Sequence, residues 1–236
     1  MARPIVIVHG AWGGSYALRK VRPLLWAAGS ETFTPSLTGI GERSHLAHPG
    51  VGLHTHVTDA VNTILYEDLD DIVLVGFSYG GMVITGMLDH IGNRVHDLVY
   101  LDAFVPSDGQ SASDIRGQPS PTPIELGQAA FIPPIPRELA DPAEQAWSDA
   151  RRTHQPAKTF TEPVSLSKPL QAWDCSLSYI KATADPSESD DSAFWQAARA
   201  AEESERWRYH EIATNHLIPL THPVELAEIL VSLASA

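Results

Sequence analysis

The sequence predicts an α/β fold built on a mostly parallel sheet, and three observations carry that expectation. Short β-branched runs alternate along the chain with longer helical patterns, the grammar of βαβ units joined by right-handed crossovers. One of those runs, "DIVLV" (71–75), is apolar apart from its first residue, as a buried strand is. Finally, the chain has 236 residues with 43% hydrophobic and 19% charged content, enough for one large core and too little for two comfortable domains.

Taken in order, "IVIVHG" (5–10) reads as a buried strand, followed by a helix from about Tyr16 to Ala28. "ETFTP" is a short strand and "HTHVTDAVNTILYE" an amphipathic helix. The strand "DIVLV" runs into a helix from Gly80 to Ile91, and "VHDLVYLDAF" (95–104) contains the next strand. The pattern then changes. From about Pro106 to Pro169 the chain is rich in proline and lacks strand alternation, so scattered short helices are expected there. Alternation resumes with "LSYIKAT" as strand, "SAFWQAARAAEESE" as helix, "RWRYHEIAT" as strand and "PVELAEILVSLAS" as the last helix. The expected organisation is a core of residues 1–105 and 171–236, about six strands flanked by helices, interrupted by an insertion at 106–170. An insertion at that place forms a lid over a site at the carboxyl ends of the strands.

Bulk properties exclude several function classes. A formal net charge of −13 disfavours nucleic acid and anionic membrane surfaces as partners. The single cysteine, Cys175, rules out an intrachain disulfide and suits a reducing compartment. The N-terminal apolar run is too short for a signal-peptide core and no stretch reaches membrane-spanning length, so a cytoplasmic location is expected.

The chemistry centres on "GFSYGG" (76–81), which matches G-x-S-x-G between a strand and a helix. In such an elbow the serine takes a strained backbone conformation, small neighbours make room for the turn, and the hydroxyl of Ser78 stands at a helix N-terminus. A tetrahedral intermediate needs two donors aimed at its oxyanion. The backbone N–H groups of Tyr79 and of Ala11, in "HGAWGG" (9–14), are the candidates. The general base should follow the last strand. Among eleven histidines, His216 in "ATNHLIPLTHP" has that position, with His222 as its competitor. His9 is expected to hydrogen-bond within its loop, and His54 and His56 lack a matching set of metal ligands. The acid that orients the base should follow the preceding strand, where Asp185 is the first carboxylate. Asp102, which ends an earlier strand, is an alternative, as are Glu188, Asp190 and Asp191. The order Ser78, Asp185, His216 is that of an α/β-hydrolase.

The wording of several stretches resembles the small α/β-hydrolase family of plant methylesterases, hydroxynitrile lyases and bacterial carboxylesterases, including pyrethroid hydrolases. These are "VHGAW" (8–12), "LTGIGERSHL" (37–46), "LVGFSYGGMVITG" (74–86), "LVYLDAFVPSDGQS" (98–111) and "WRYHEIATNH" (207–216). The resemblance implies an α/β-hydrolase fold, a triad of Ser78, Asp185 and His216, and oxyanion donors at Ala11 and Tyr79. The lyases of that family carry a threonine before the first oxyanion residue and a lysine after the catalytic histidine, where this chain has Gly10 and Leu217, which argues against cyanohydrin cleavage. The expected activity is hydrolysis of small hydrophobic carboxylic esters through an acyl-serine, with no metal or organic cofactor. Acyl transfer by the same triad, as in a thioesterase or cyclase, and ligand binding without turnover are the alternatives. Trp12, Phe77, Phe104, Phe131, Trp147, Trp173 and Leu217 are candidate walls of the substrate pocket. Monomer and homodimer remain equally open.

Overall fold

A computed structural model of the protein describes residues 2–117 and 130–235. Six strands form one sheet: β1 (Ile5–Val8), β2 (Thr32–Phe33), β3 (Ile72–Phe77), β4 (Val95–Leu101), β7 (Ser176–Ala182) and β8 (Trp207–Ile212). Their order is β2-β1-β3-β4-β7-β8, and every neighbouring pair is parallel. Parallel strands need crossovers, and the helices that supply them cover both faces. Among the described residues these are α1 (Arg22–Ala27), α2 (Leu53–Tyr66), α3 (Gly80–Ile91), α4 (Ala112–Ile115), α5 (Pro142–Asp149), α6 (Lys158–Thr161), α7 (Ala193–Glu202), α8 (Ile218–Thr221) and α9 (Pro223–Ser235).

Coverage on both faces explains the unbroken apolar strands. On β1, Val6 and Val8 pack into one core with residues of α2 and α3, while Ile5 and Ile7 pack into a second with Leu25, Leu226 and Leu230. Each such buried side chain contributes about 1.5–3 kcal/mol of transfer free energy. The helix expected from Tyr16 to Ala28 is divided into a 3₁₀ turn at Ser15–Leu18 and α1. Pro23 is the physical reason. It lacks an N–H and disfavours helical geometry before it, so it is accommodated in the first turn of a new helix.

The segment between β4 and β7 holds α4, α5 and α6, and also a two-residue antiparallel ribbon of β5 (Phe131–Ile132) with β6 (Gln155–Pro156). That ribbon departs from the expectation of short helices alone; the expectation for 118–129 lies outside the described residues. Strands β1, β3, β4, β7 and β8 all end on one edge of the sheet. A residue placed just after any of them faces the same crevice.

Candidate active site

Ser78 follows the last residue of β3 and has φ of +57°, and Tyr79 is the N-cap of α3. Its strained turn is held from three sides. Ser78 N–H donates to Leu101 O (3.1 Å), while Ser78 O accepts from Gly81 N–H (3.1 Å) and Phe104 N–H (3.3 Å). Gly76 is required because a Cβ there would lie 2.6 Å from the Gly80 carbonyl oxygen. Gly10 brings the β1 loop up to Ser78, with no more than 3.0 Å between a notional Cβ and that of the serine. The backbone N–H groups of Ala11 and Tyr79 make no hydrogen bond among the described residues, and both residues line the cavity above Ser78.

The Ser78 hydroxyl donates to His216 Nε2 at 2.9 Å. On the other side of the ring, Nδ1–H donates to Asp102 Oδ2 at 2.6 Å. The imidazole lies between two aromatic rings, Phe77 and Phe194, each with a centroid 5.0 Å from its own.

The structure corrects the expected acid. Asp185 does not reach the imidazole. Its Oδ2 accepts the backbone N–H of His216 (3.1 Å) and Arg137 Nη1 (3.1 Å), while Oδ1 accepts from Ser187. The physical reason is strand order. β4 pairs directly with β3, so the residue that ends β4 lies beside the elbow, whereas the β7 loop is one strand further away. Asp102 is fully buried and has φ of +42°, and its N–H donates to Ile180 O at 2.7 Å. Burial alone would raise the pKa of this carboxyl. The His216 hydrogen bond and the charges of His216 and Lys181 outweigh that and hold it below the usual value. Asp185 is also lowered, burial again opposing, by hydrogen bonds from Ser187 and the His216 main chain and by the Arg137 charge. Of the other carboxylates weighed, Glu188 binds Lys181 and Asp191 lies on the cavity rim. Asp190 offers only its main-chain oxygen, to Arg199.

The cavity over Ser78 has a volume of about 490 Å³, in the range of small-molecule sites. Trp12, Phe77, Phe104 and Leu217 line it as expected. Trp147 does not; it packs on Tyr16 and beneath Arg19 and Arg151. Trp173 lies instead against Gly92 and Lys168 on the far side of the core, and Phe131 is spent on the β5–β6 ribbon. Two walls missed by sequence reasoning are Phe160 and Phe194. Phe160 stacks on Tyr79 and makes a tilted contact with Trp12, with centroids 5.5 Å apart in each pair. The signal for Phe194 was its place directly after the acidic loop, at the start of α7. Three arginines, Arg116, Arg137 and Arg152, also face the cavity. Arg116 and Arg152 lie 6.0 and 5.9 Å from the centroids of Phe160 and Trp12, and their pKa values are lowered chiefly by burial.

Two other buried histidines, His9 and His56, have structural partners. His9 bonds Gly10 O and accepts the N–H of Leu37, tying two loops, and its burial favours the neutral ring. His56 meets Tyr79 Oη (3.0 Å) and Thr38 O (2.8 Å), and burial lowers its pKa to about 4. Neutral His56 with its proton on Nε2 donates to Thr38 and accepts from the tyrosine. Among the described residues no group of three or more His, Cys, Asp or Glu side chains is placed to hold a metal ion.

A parallel sheet with a serine elbow, a histidine on that serine and a carboxylate on that histidine defines a serine hydrolase of α/β architecture. Residues 5–229 match the alpha/beta hydrolase family, and the chain belongs to that family. It is 34% identical to a carbendazim hydrolyzing esterase of Nocardioides sp. (strain SG-4G), over 97% of this chain and 98% of that one. An alpha-hydroxynitrile lyase of Arabidopsis thaliana is 30% identical over 53% of this chain and 49% of the lyase. Among solved structures, an extracellular alpha/beta-hydrolase from a Paenibacillus species superposes with a TM-score of 0.82 at 22% identity, covering 98% of both chains. The chain is a carboxylesterase-like serine hydrolase.

Proposed function

We propose that the protein hydrolyses carboxylic esters of small, largely apolar molecules, with Ser78 as nucleophile, His216 as general base and Asp102 as the orienting acid. The observation that carries this reading is the unbroken line of hydrogen bonds Ser78 Oγ–His216 Nε2 and His216 Nδ1–Asp102 Oδ2. His216 takes the proton of Ser78 as the hydroxyl attacks the ester carbonyl, and Asp102 stabilises the imidazolium. The unengaged N–H groups of Ala11 and Tyr79 are suited to receive the oxyanion, an interaction whose loss typically costs about 10²–10³ in rate. The imidazolium then protonates the leaving alcohol. Water, deprotonated by the same imidazole, attacks the acyl-serine and releases the acid.

Trp12, Phe77, Phe104, Phe160 and Phe194 favour apolar acyl or alcohol groups. The described residues of 106–170, which contribute Phe160, Arg116, Arg137 and Arg152 to the cavity, act in this reading as a lid. No described helix is long and apolar enough to cross a membrane. We place the enzyme in the cytoplasm because a chain with a single cysteine forms no intrachain disulfide and a reducing compartment suits it. The test is hydrolysis of a series of aryl esters, with the released acid quantified. Wild type should turn over and Ser78→Ala should lose at least about 10⁴-fold of the activity. Equal activity in the two proteins would remove Ser78 from the mechanism.

A further inference from the structure

Lys181, on β7, is fully buried. Its ammonium donates to Asp102 Oδ1 at 2.7 Å and to Glu188 Oε2 at 2.6 Å, and the Trp195 ring centroid is 4.6 Å away. Glu188 Oε1 accepts from Ser192 Oγ at 2.5 Å, and Ser192 is also the N-cap of α7. Six side chains therefore run in one line from the nucleophile to a helix end: Ser78, His216, Asp102, Lys181, Glu188 and Ser192.

The charges along this line are informative. A triad needs one carboxylate on its histidine, and an ammonium touching the second oxygen of that carboxylate would cancel it at close range. A second, nearly buried carboxylate on the same ammonium restores a net single negative charge beside the imidazole. Simple burial of a lysine would require only one of the two partners.

We propose that Lys181 and Glu188 are positioning residues for ester hydrolysis: Lys181 fixes Asp102 as a carboxylate aimed at Nδ1, and Glu188 offsets the lysine charge so that His216 remains an effective base. The proposal rests on the roles given above to Ser78, His216 and Asp102. Other charged or titratable groups surround the imidazole. Asp185 holds its main-chain N–H and is itself paired with Arg137. Arg116, Arg152, Asp191 and His9 face the same cavity. Tyr179 bonds main-chain atoms of Ala103 and Phe194, and Tyr209 donates to Glu211. Among the described residues none of these touches Lys181. Glu188 also lines the cavity, so the substrate-free titration of His216 separates its effect through Asp102 from one on substrate binding.

The test compares Lys181→Met, Glu188→Gln and the double variant by the pH profile of kcat/KM on an aryl ester. The first leaves two carboxylates uncompensated and favours the imidazolium, so the acid limb should move up by about one pH unit. The second leaves the ammonium uncompensated, and the limb should move down by about as much. The double variant, in which both charges are gone, should return toward wild type. A lysine that only supports the fold would lower the yield of folded enzyme without producing opposed shifts. Limbs that stay in place, or move in the same direction in both single variants, overturn the proposal. If Lys181→Met does not fold, Glu188→Gln decides alone, an unmoved limb being the negative result. Titration of the His216 imidazole by NMR in the same proteins reads these shifts without substrate. An enzyme inactive on every ester would thus count against the proposed function and leave this inference separately decided.

Discussion

Three residues of the site, Trp12, Ser78 and Asp102, hold positive φ values of 59°, 57° and 42°. Each such setting in a non-glycine residue costs on the order of 1 kcal/mol or more and persists only where the surroundings over-determine it. At Ser78 and Asp102 the surroundings are the ends of β3 and β4, which bond to each other across the turn. Asp102→Asn should keep this geometry and lower kcat by about 10³–10⁴-fold, because an amide no longer selects the Nδ1–H tautomer. Asp185→Asn retains an acceptor for the His216 main chain and should cost about tenfold or less. Steady-state kinetics on one aryl ester distinguishes the two. The reverse ranking would return the acid's role to Asp185. Sequence reasoning ranked them wrongly because both follow a strand at the correct edge, and chain order puts either between the serine and the histidine. Only the lateral order of strands separates them, and that is a tertiary fact.

At the scale of elements, most of the architecture was legible because the strands and helices of the core, the two-residue β2 apart, are long enough to show their period. Helix α3 begins at Gly80 and ends at Ile91 as the pattern requires, and β7 and α9 agree within a residue at each end, whereas β8 ends at Ile212, short of the run that suggests it. The β5–β6 ribbon was not legible: two residues show no alternation, and one of them is a proline. Aromatic type also carries no direction, which is why Trp147 and Trp173 read as pocket residues yet pack elsewhere. The strand–helix junction makes the tightest demand. A Cβ on Gly80 would lie 2.5 Å from Val8 O and 3.1 Å from His9 O, both backbone atoms of the neighbouring strand and loop. Gly80→Ala should therefore destabilise the fold by roughly 1–3 kcal/mol through overpacking, read as a lower denaturation midpoint at unchanged m-value. An unshifted midpoint would mean that α3 can slide away from β1.

For the molecule as a whole, the segment between β4 and β7 divides the reacting groups unequally. Ser78, Asp102 and the loop of Ala11 come before it, while Lys181, Glu188 and His216 come after it. The two parts share the sheet through one parallel strand pair, with Asp97 to Leu101 in register against Ser176 to Ile180, and α9 packs across onto α1 and β3. The base reaches the nucleophile only when both parts are together. A chain cut after Gly117 would therefore give one fragment with a nucleophile and no base, and another with a base and no nucleophile. Each should be inactive alone, and ester hydrolysis should appear on mixing, saturating as the second fragment is titrated in. Turnover would then count joined halves, so the titration curve would read the affinity of one half for the other.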